Sequence, residues 1–296
     1  MSPSFDFFGS RRNLLGESPL WDDRTGSLYW VDSVGRQIFR SGGDGVQVQS
    51  WEAPSMVGSI GLSESGLVAA LEDGFYTFDV DSGLFSPVAL PERGNASVRF
   101  NDGKADRQGR FVAGTMRVGG APGAPGKLYR LERDGNATVL ESEIQISNAL
   151  CFSPSGDTLY FADSLRNCIW AYDYDGRVAD RRVLIDTAPL GSAPDGATVD
   201  SEGCLWVALV QAQKLARFTR TGELLLQLEV PLPLPSCPAF GGRDLDTLYV
   251  TTISDSHGLL RSDHPDAGRI LTITGLGVRG LPEARCVLDP MREAAA

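Results

Sequence analysis

The chain has 296 residues, 42% of them hydrophobic, and carries a formal net charge of −11 at neutral pH with a pI of about 4.7. That length and apolar content describe a globular protein able to bury roughly three-quarters of its unfolded surface, while the acidic balance lacks the basic footprint that nucleic acid or an anionic membrane would require. The opening stretch MSPSFDFFGSRRNLL contains no apolar run long enough for a secretory signal and no run approaches a membrane span, so a cytoplasmic protein is expected.

From Leu20 onward one grammar recurs: a polar turn, then a short alternating strand rich in Leu, Tyr, Trp and Val. LWDDRTGSLYWVDSVGRQIFR starts at Leu20, GLSESGLVAALEDGFYTFD at Gly61, KADRQGRFVAGT at Lys104 and CFSPSGDTLYFADSLRNCIWAYD at Cys151. TVDSEGCLWVALVQAQKLARF follows at Thr198 and FGGRDLDTLYVTT at Phe240. The turn markers Gly26, Gly66, Gly109, Gly156 and Gly203 stand 40, 43, 47 and 47 residues apart, and Asp244 or Leu245 holds the matching place in the sixth segment. Six units of about 49 residues match a four-stranded propeller blade. With 34 glycines, 17 prolines and no sustained helical periodicity, the expectation is all-β: one six-bladed β-propeller over residues 1–296. An N-terminal strand near Phe5 to Phe8 is expected to close the ring on the C-terminal blade.

The turn markers also serve as a ruler. Asn101, Asn148 and Asp195 each lie 8 residues before their turn glycine, and Glu17 lies 9 before Gly26. The same phase in different blades means the same height and radius, on the innermost strand facing the central channel. The other two blades put Gly58 and roughly Cys237 there, residues that leave room rather than supply ligands. Asn-Ala, Asn-Asp-Gly and Pro-Asp-Gly are ordinary turn sequences when met singly; four in one phase, one of them a Glu with no turn preference, indicate a shared site. A ring of side-chain oxygens is what hard divalent cations prefer. Arg99 alternates with Phe100 two residues before Asn101, as on one face of a strand that then bends at Asp102-Gly103.

LLGESPLW (14–21), RFNDGKADRQGR (99–110), AGTM (113–116), ISNALCFSPSGDTLYFAD (146–163), PDGATVDSEGCLWVAL (194–209) and FGGRDLDTLYVTT (240–252) together resemble the SMP-30/gluconolactonase/regucalcin family. The resemblance implies a metal-dependent hydrolase of sugar lactones. Carried over by position, Glu17, Asn148 and Asp195 match the family's divalent-metal ligands, Arg99 and Asn101 its substrate-binding pair, and Asp195 also its general base. Ser18 and Ala149 stand where the family has glycine after the Glu and after the Asn, which adds a small side chain beside each ligand.

These residue types suit the chemistry. A metal so held can polarise a lactone carbonyl and lower the pKa of water, and Asp195 can accept the water's proton. Arg99 can hold carbonyl or ring oxygens, and Asn101, both donor and acceptor, suits sugar hydroxyls. Oxygen ligands favour Ca, Mg or Mn, and Zn or Fe can occupy such a cage as well. Met56, Met116 and Trp206 are candidates to shape the pocket, with ordinary blade packing as their simpler role. Two other functions fit the same scaffold: hydrolysis of another ester or phosphoester, and a non-catalytic calcium-binding propeller.

Five widely spaced cysteines with no Cys-x-x-Cys pair are expected to be buried, reduced thiols. Only His257 and His264 exist, both in one polar loop, which disfavours histidine-rich zinc sites. GLGVRG at Gly275–Gly280 has the dinucleotide-loop pattern, but too little chain follows for that fold, and it reads as a turn. DVDSG at Asp79–Gly83 lacks the rest of a calcium loop and reads as a hairpin turn. No G-x-S-x-G esterase elbow occurs.

Overall fold

The computed structural model describes residues 2–119 and 125–289, so the ends of the expected 1–296 span and residues 120–124 lie outside the described residues. Six four-stranded antiparallel sheets form, five with their strands in chain order from the centre outward and the sixth with three C-terminal strands followed by an N-terminal one. Their inner strands are Gly16–Asp22, Val57–Ser63, Val98–Ala105, Ser147–Phe152, Pro194–Val199 and Pro235–Gly241, defining blades 1 to 6. Each inner strand packs against those of the two neighbouring blades, and blade 6 returns to blade 1, so the ring is a six-bladed β-propeller. Among the described residues the only helical turns are two short 3₁₀ segments, Ser164–Arg166 and Ala188–Leu190. No described helix is long and apolar enough to cross a membrane.

Closure uses the N-terminal segment as expected. Ser4–Phe8 adds the outermost strand of blade 6, pairing Phe8 with Ile270 and Ser4 with Thr274. Phe8 then meets Trp30 of blade 1 and Tyr249 of blade 6 edge-on at 5.9 and 5.3 Å, while Trp21 stacks on Tyr249 at 5.7 Å. Aromatic pairs of this geometry add about 0.5–1.5 kcal/mol each beyond their burial, so the seam between first and last blade is among the better-packed parts of the ring.

The turn markers behave as their spacing implies. Gly26, Gly66, Gly109, Gly156 and Gly203 all have positive φ, and Leu245 takes the sixth place at φ 55°. A departure lies one turn earlier: every inner strand carries a register shift, between Glu17 and Leu20, Val57 and Ser59, Phe100 and Gly103, Asn148 and Cys151, Pro194 and Ala197, and Pro235 and Pro238. A β-bulge leaves residues out of the ladder and re-aims their side chains. The expected bend at Asp102-Gly103 is therefore corrected: the strand runs through both residues to Ala105, and what looks like turn chemistry is a bulge within it.

Residues 276–289 cross the face opposite the strand starts. Backbone bonds tie Gly280 to Leu245, Arg279 to Ser201, Cys286 to Leu62 and Val287 to Gly109, at the far ends of blades 6, 5, 2 and 3. Arg285 adds an ion pair to Asp22 of blade 1. GLGVRG belongs to this strap, and DVDSG is a hairpin turn whose Asp79 carboxylate accepts the Asp81 and Ser82 N–H groups. All five cysteines are free thiols; four are buried and Cys168 is half-buried, contrary to a uniform expectation of burial.

Candidate functional site

The register counted from the turn glycines brings the expected residues to one end of the channel. Arg99, on the inner strand of blade 3, donates through Nη1 to its neighbour's carbonyl, Phe100 O, at 2.8 Å and to Asn101 Oδ1 at 2.9 Å. Asn101 Nδ2 crosses to blade 4, donating to Ser147 O and Asn148 Oδ1, both at 2.9 Å. Asn148 Nδ2 donates to Ser164 Oγ at 2.8 Å, and Ser164 donates onward to Pro194 O, the carbonyl preceding Asp195, at 2.7 Å. One hydrogen-bonded line thus runs through blades 3, 4 and 5. It fixes the Asn148 amide with its oxygen toward Asn101 and leaves that oxygen a second lone pair.

Glu17 and Asp195 stand apart from this line. Asp195 is buried and no hydrogen bond or ion pair among the described residues reaches its carboxylate, while half-buried Glu17 takes only the backbone N–H of Ser18 and enters no ion pair. Burial pushes Asp195 well above the usual carboxylate range, helped by the charge of Asp102. Glu17 is raised likewise, first by burial and then by Asp195 and Asp102, with Arg99 and the Ser18 N–H only partly opposing. Burial draws Arg99 down to about 10, against the pull of Glu17 and Glu72. Two acids held near one another without a cation are poor company in isolation, and a divalent cation would relieve both. The donor set fits one: two carboxylates and an oriented amide oxygen, all hard oxygen ligands. No three acidic, histidine or cysteine side chains among the described residues form a metal cluster on their own; a cation held here would draw on the amide oxygen of Asn148 beside the two carboxylates.

Ser18 and Ala149 have φ of 48° and 51°, in the left-handed region that favours glycine. They therefore reproduce a glycine backbone at about 1–2 kcal/mol each. Ser18 offsets this by bonding across blades: its Oγ accepts the Ile60 N–H of blade 2 at 3.0 Å. Gly58 has its own reason, since a Cβ there would lie 2.5 Å from Asn101 O. The room it leaves is filled by the backbone of blade 3.

Sequence reasoning missed Asp102, Lys104, Ser164 and Glu283. Asp102 accepts the Leu150 N–H of blade 4 at 2.8 Å, the counterpart of Ser18 on Ile60, and burial pushes it up to about 6. The ruler carried the signal, for Asp102 follows Asn101 as Ser18 follows Glu17. Below it, Lys104 Nζ meets Glu283 of the C-terminal strap at 2.7 Å. Burial works against the ammonium, but Glu283 more than compensates and holds Lys104 above its ordinary value. Cys237 lies beside Gly196 under the acids, its thiol pushed far up by burial and by Asp102, so it is an inert core group. Trp206 packs between blades with Nε1 donating to Asp200 at 3.0 Å, which is the simpler of its two expected roles. His257 and His264 are exposed on their loop.

Comparison with known proteins identifies the family. The model of the SMP-30/Gluconolactonase/LRE-like region matches residues 15–254. Regucalcin of Gallus gallus is 36% identical over 95% of this chain and 97% of its own length. The 6-deoxy-6-sulfogluconolactonase of Pseudomonas putida is 33% identical over 92% and 94%. The crystal structure of a calcium-binding protein, regucalcin, from Agrobacterium tumefaciens superposes with a TM-score of 0.86 at 28% identity, covering 94% of this chain and 96% of that one. With nearly its whole length matched in sequence and in fold, the chain belongs to the SMP-30/gluconolactonase/LRE-like family.

Proposed function

We propose that this protein is a sugar lactonase that hydrolyses an aldonolactone to its sugar acid with one divalent cation, held by Glu17, Asn148 and Asp195. The observation that carries the reading is the pair of carboxylates, Glu17 half-buried and Asp195 buried, that enter no ion pair among the described residues, set beside an amide whose oxygen is turned by the Arg99–Asn101 line. When bound, the cation supplies charge that polarises the lactone carbonyl and makes water more acidic. Asp195 takes the proton of the attacking water on a carboxylate oxygen, the water oxygen bonds to the carbonyl carbon, and the ring C–O bond breaks. The departing alkoxide then recovers the proton held on Asp195. Arg99, with Nη1 engaged, has its remaining N–H groups for substrate oxygens, and Asn101 fixes both Arg99 and Asn148.

The test is acid release from a panel of pentono- and hexonolactones by chelated protein, repeated with Ca, Mg, Mn, Zn and Fe(II). Metal-dependent release supports the reading. Release that persists without any metal overturns the cation's part, and no release from any lactone overturns the whole. Likeness to a regucalcin described as calcium-binding favours a second reading, a non-catalytic calcium protein. Calcium binding without turnover in that panel would select it; the Arg99–Asn101 pair, superfluous to a simple calcium site, argues for catalysis.

A further inference from the structure

Beside Arg99, on the face where the strands of the site begin, opens a cavity of about 330 Å³ between blades 2 and 3. That is the lower end of the range usual for small-molecule pockets, roughly 300–1,000 Å³. Its wall holds Glu72, Asp73 and Glu92 against the single positive charge of Arg99. Two of the acids are fixed. Asp73 Oδ1 accepts the Tyr76 hydroxyl at 2.9 Å, and the buried Glu92 accepts Tyr129 Oη at 2.5 Å and Asn95 Nδ2 at 2.7 Å. Glu72 is exposed, and among the described residues its carboxylate takes part in no hydrogen bond or ion pair. It acts on Arg99 by charge alone.

A substrate seated between Arg99 and Asp195 and extending past the guanidinium enters this space, which Arg99 itself lines. There it meets acceptors and a net negative field. Hydroxyl groups donate to carboxylates and are satisfied there, whereas an anionic group faces like charge, the repulsive element that specificity requires. We propose that the cavity over Arg99 receives the hydroxyl-bearing tail of the lactone, and that Glu72 and Asp73 select neutral aldonolactones over those with a terminal phosphate, sulfonate or carboxylate. This inference rests on the lactonase reading for the ring's position and adds the class of substrate.

The experiment compares glucono-1,5-lactone with its 6-phosphate, by kcat/KM and by calorimetric binding of freshly dissolved lactone. It uses the wild-type protein and Glu72→Gln/Asp73→Asn, at low salt and at 1 M salt. The neutral lactone is expected to be favoured at least tenfold by the wild type at low salt. That ratio should fall several-fold in the double variant and again at high salt, where screening shortens to about 3 Å. Equal handling of the two lactones by the wild type, or a ratio unmoved by both salt and substitution, overturns the proposal. If the double variant does not fold, the salt series on the wild type decides. If no lactone is turned over, the lactonase reading fails while the binding ratio still decides this one, and failure to bind either lactone overturns it as well.

Discussion

At one end of the channel half-buried Glu17 and buried Asp195 enter no ion pair among the described residues; at the other, Glu283 meets Lys104 Nζ at 2.7 Å with both side chains nearly buried. Blade 3 reaches both ends, with Arg99 and Asn101 at the start of its inner strand and Lys104 near its finish. Burial raises carboxylates at the open end, and the ion pair neutralises one at the closed end. The difference separates an end whose acids lack an ion pair, where we propose that a cation and a substrate bind, from one where charge holds the strap across the far face.

The comparison breaks most sharply at Asp195. Asp195→Asn keeps shape and removes the proton acceptor, so turnover should fall by roughly 10²–10⁴ while the thermal midpoint of the metal-free protein holds or rises. Turnover that survives removes Asp195 from the role of base. At the closed end the signs reverse. Glu283→Ala leaves a buried ammonium unpaired and should cost about 3 kcal/mol or more in denaturant unfolding, with kcat/KM of the folded protein changed by less than about threefold, since the pair lies outside the proposed chemistry. A loss of activity as large as that of Asp195→Asn would show that the two ends work as one unit.

A third expected effect concerns pH. Asp195 moves from an ordinary 3.8 up to about 8, and Asp102 up to about 6, so the native state retains protons that the unfolded chain has already released. Stability of the chelated protein should accordingly decline as pH rises from about 4 to 8. Saturating divalent cation should flatten that slope by holding the acids ionised in the fold. A chelated protein that gains stability over the same interval contradicts the account of uncompensated acids.

Much of this was legible in the chain. Turn glycines at near-constant spacing and strands alternating about them are local signals, and they located the blades, the closing strand near Phe5 and the phase shared by Glu17, Asn101, Asn148 and Asp195. What stayed hidden depends on the ring. Asp102 and Asn101 share one turn-like tripeptide, and only the bulge sends one to the Asn148 amide and the other to the Leu150 N–H. Ser164 matters because blade 5 passes beside it, and Glu283 because the strap crosses beneath Lys104; neither contact leaves a mark on nearby sequence.

The six bulges have a consequence for how such a protein can change. A residue outside the ladder can be exchanged without costing the sheet a backbone bond, so each blade offers the axis an interchangeable socket on a frame that stays put. Asn101 and Asp195 fill two of them here, and Glu17 and Asn148 stand in the ladder immediately before the bulges of blades 1 and 4. The blade 2 socket is closed to any side chain by the backbone of blade 3, which leaves blade 6, with buried Ser236 and Cys237 in its bulge, as the place where exchanging a thiol for an oxygen donor would begin a different chemistry.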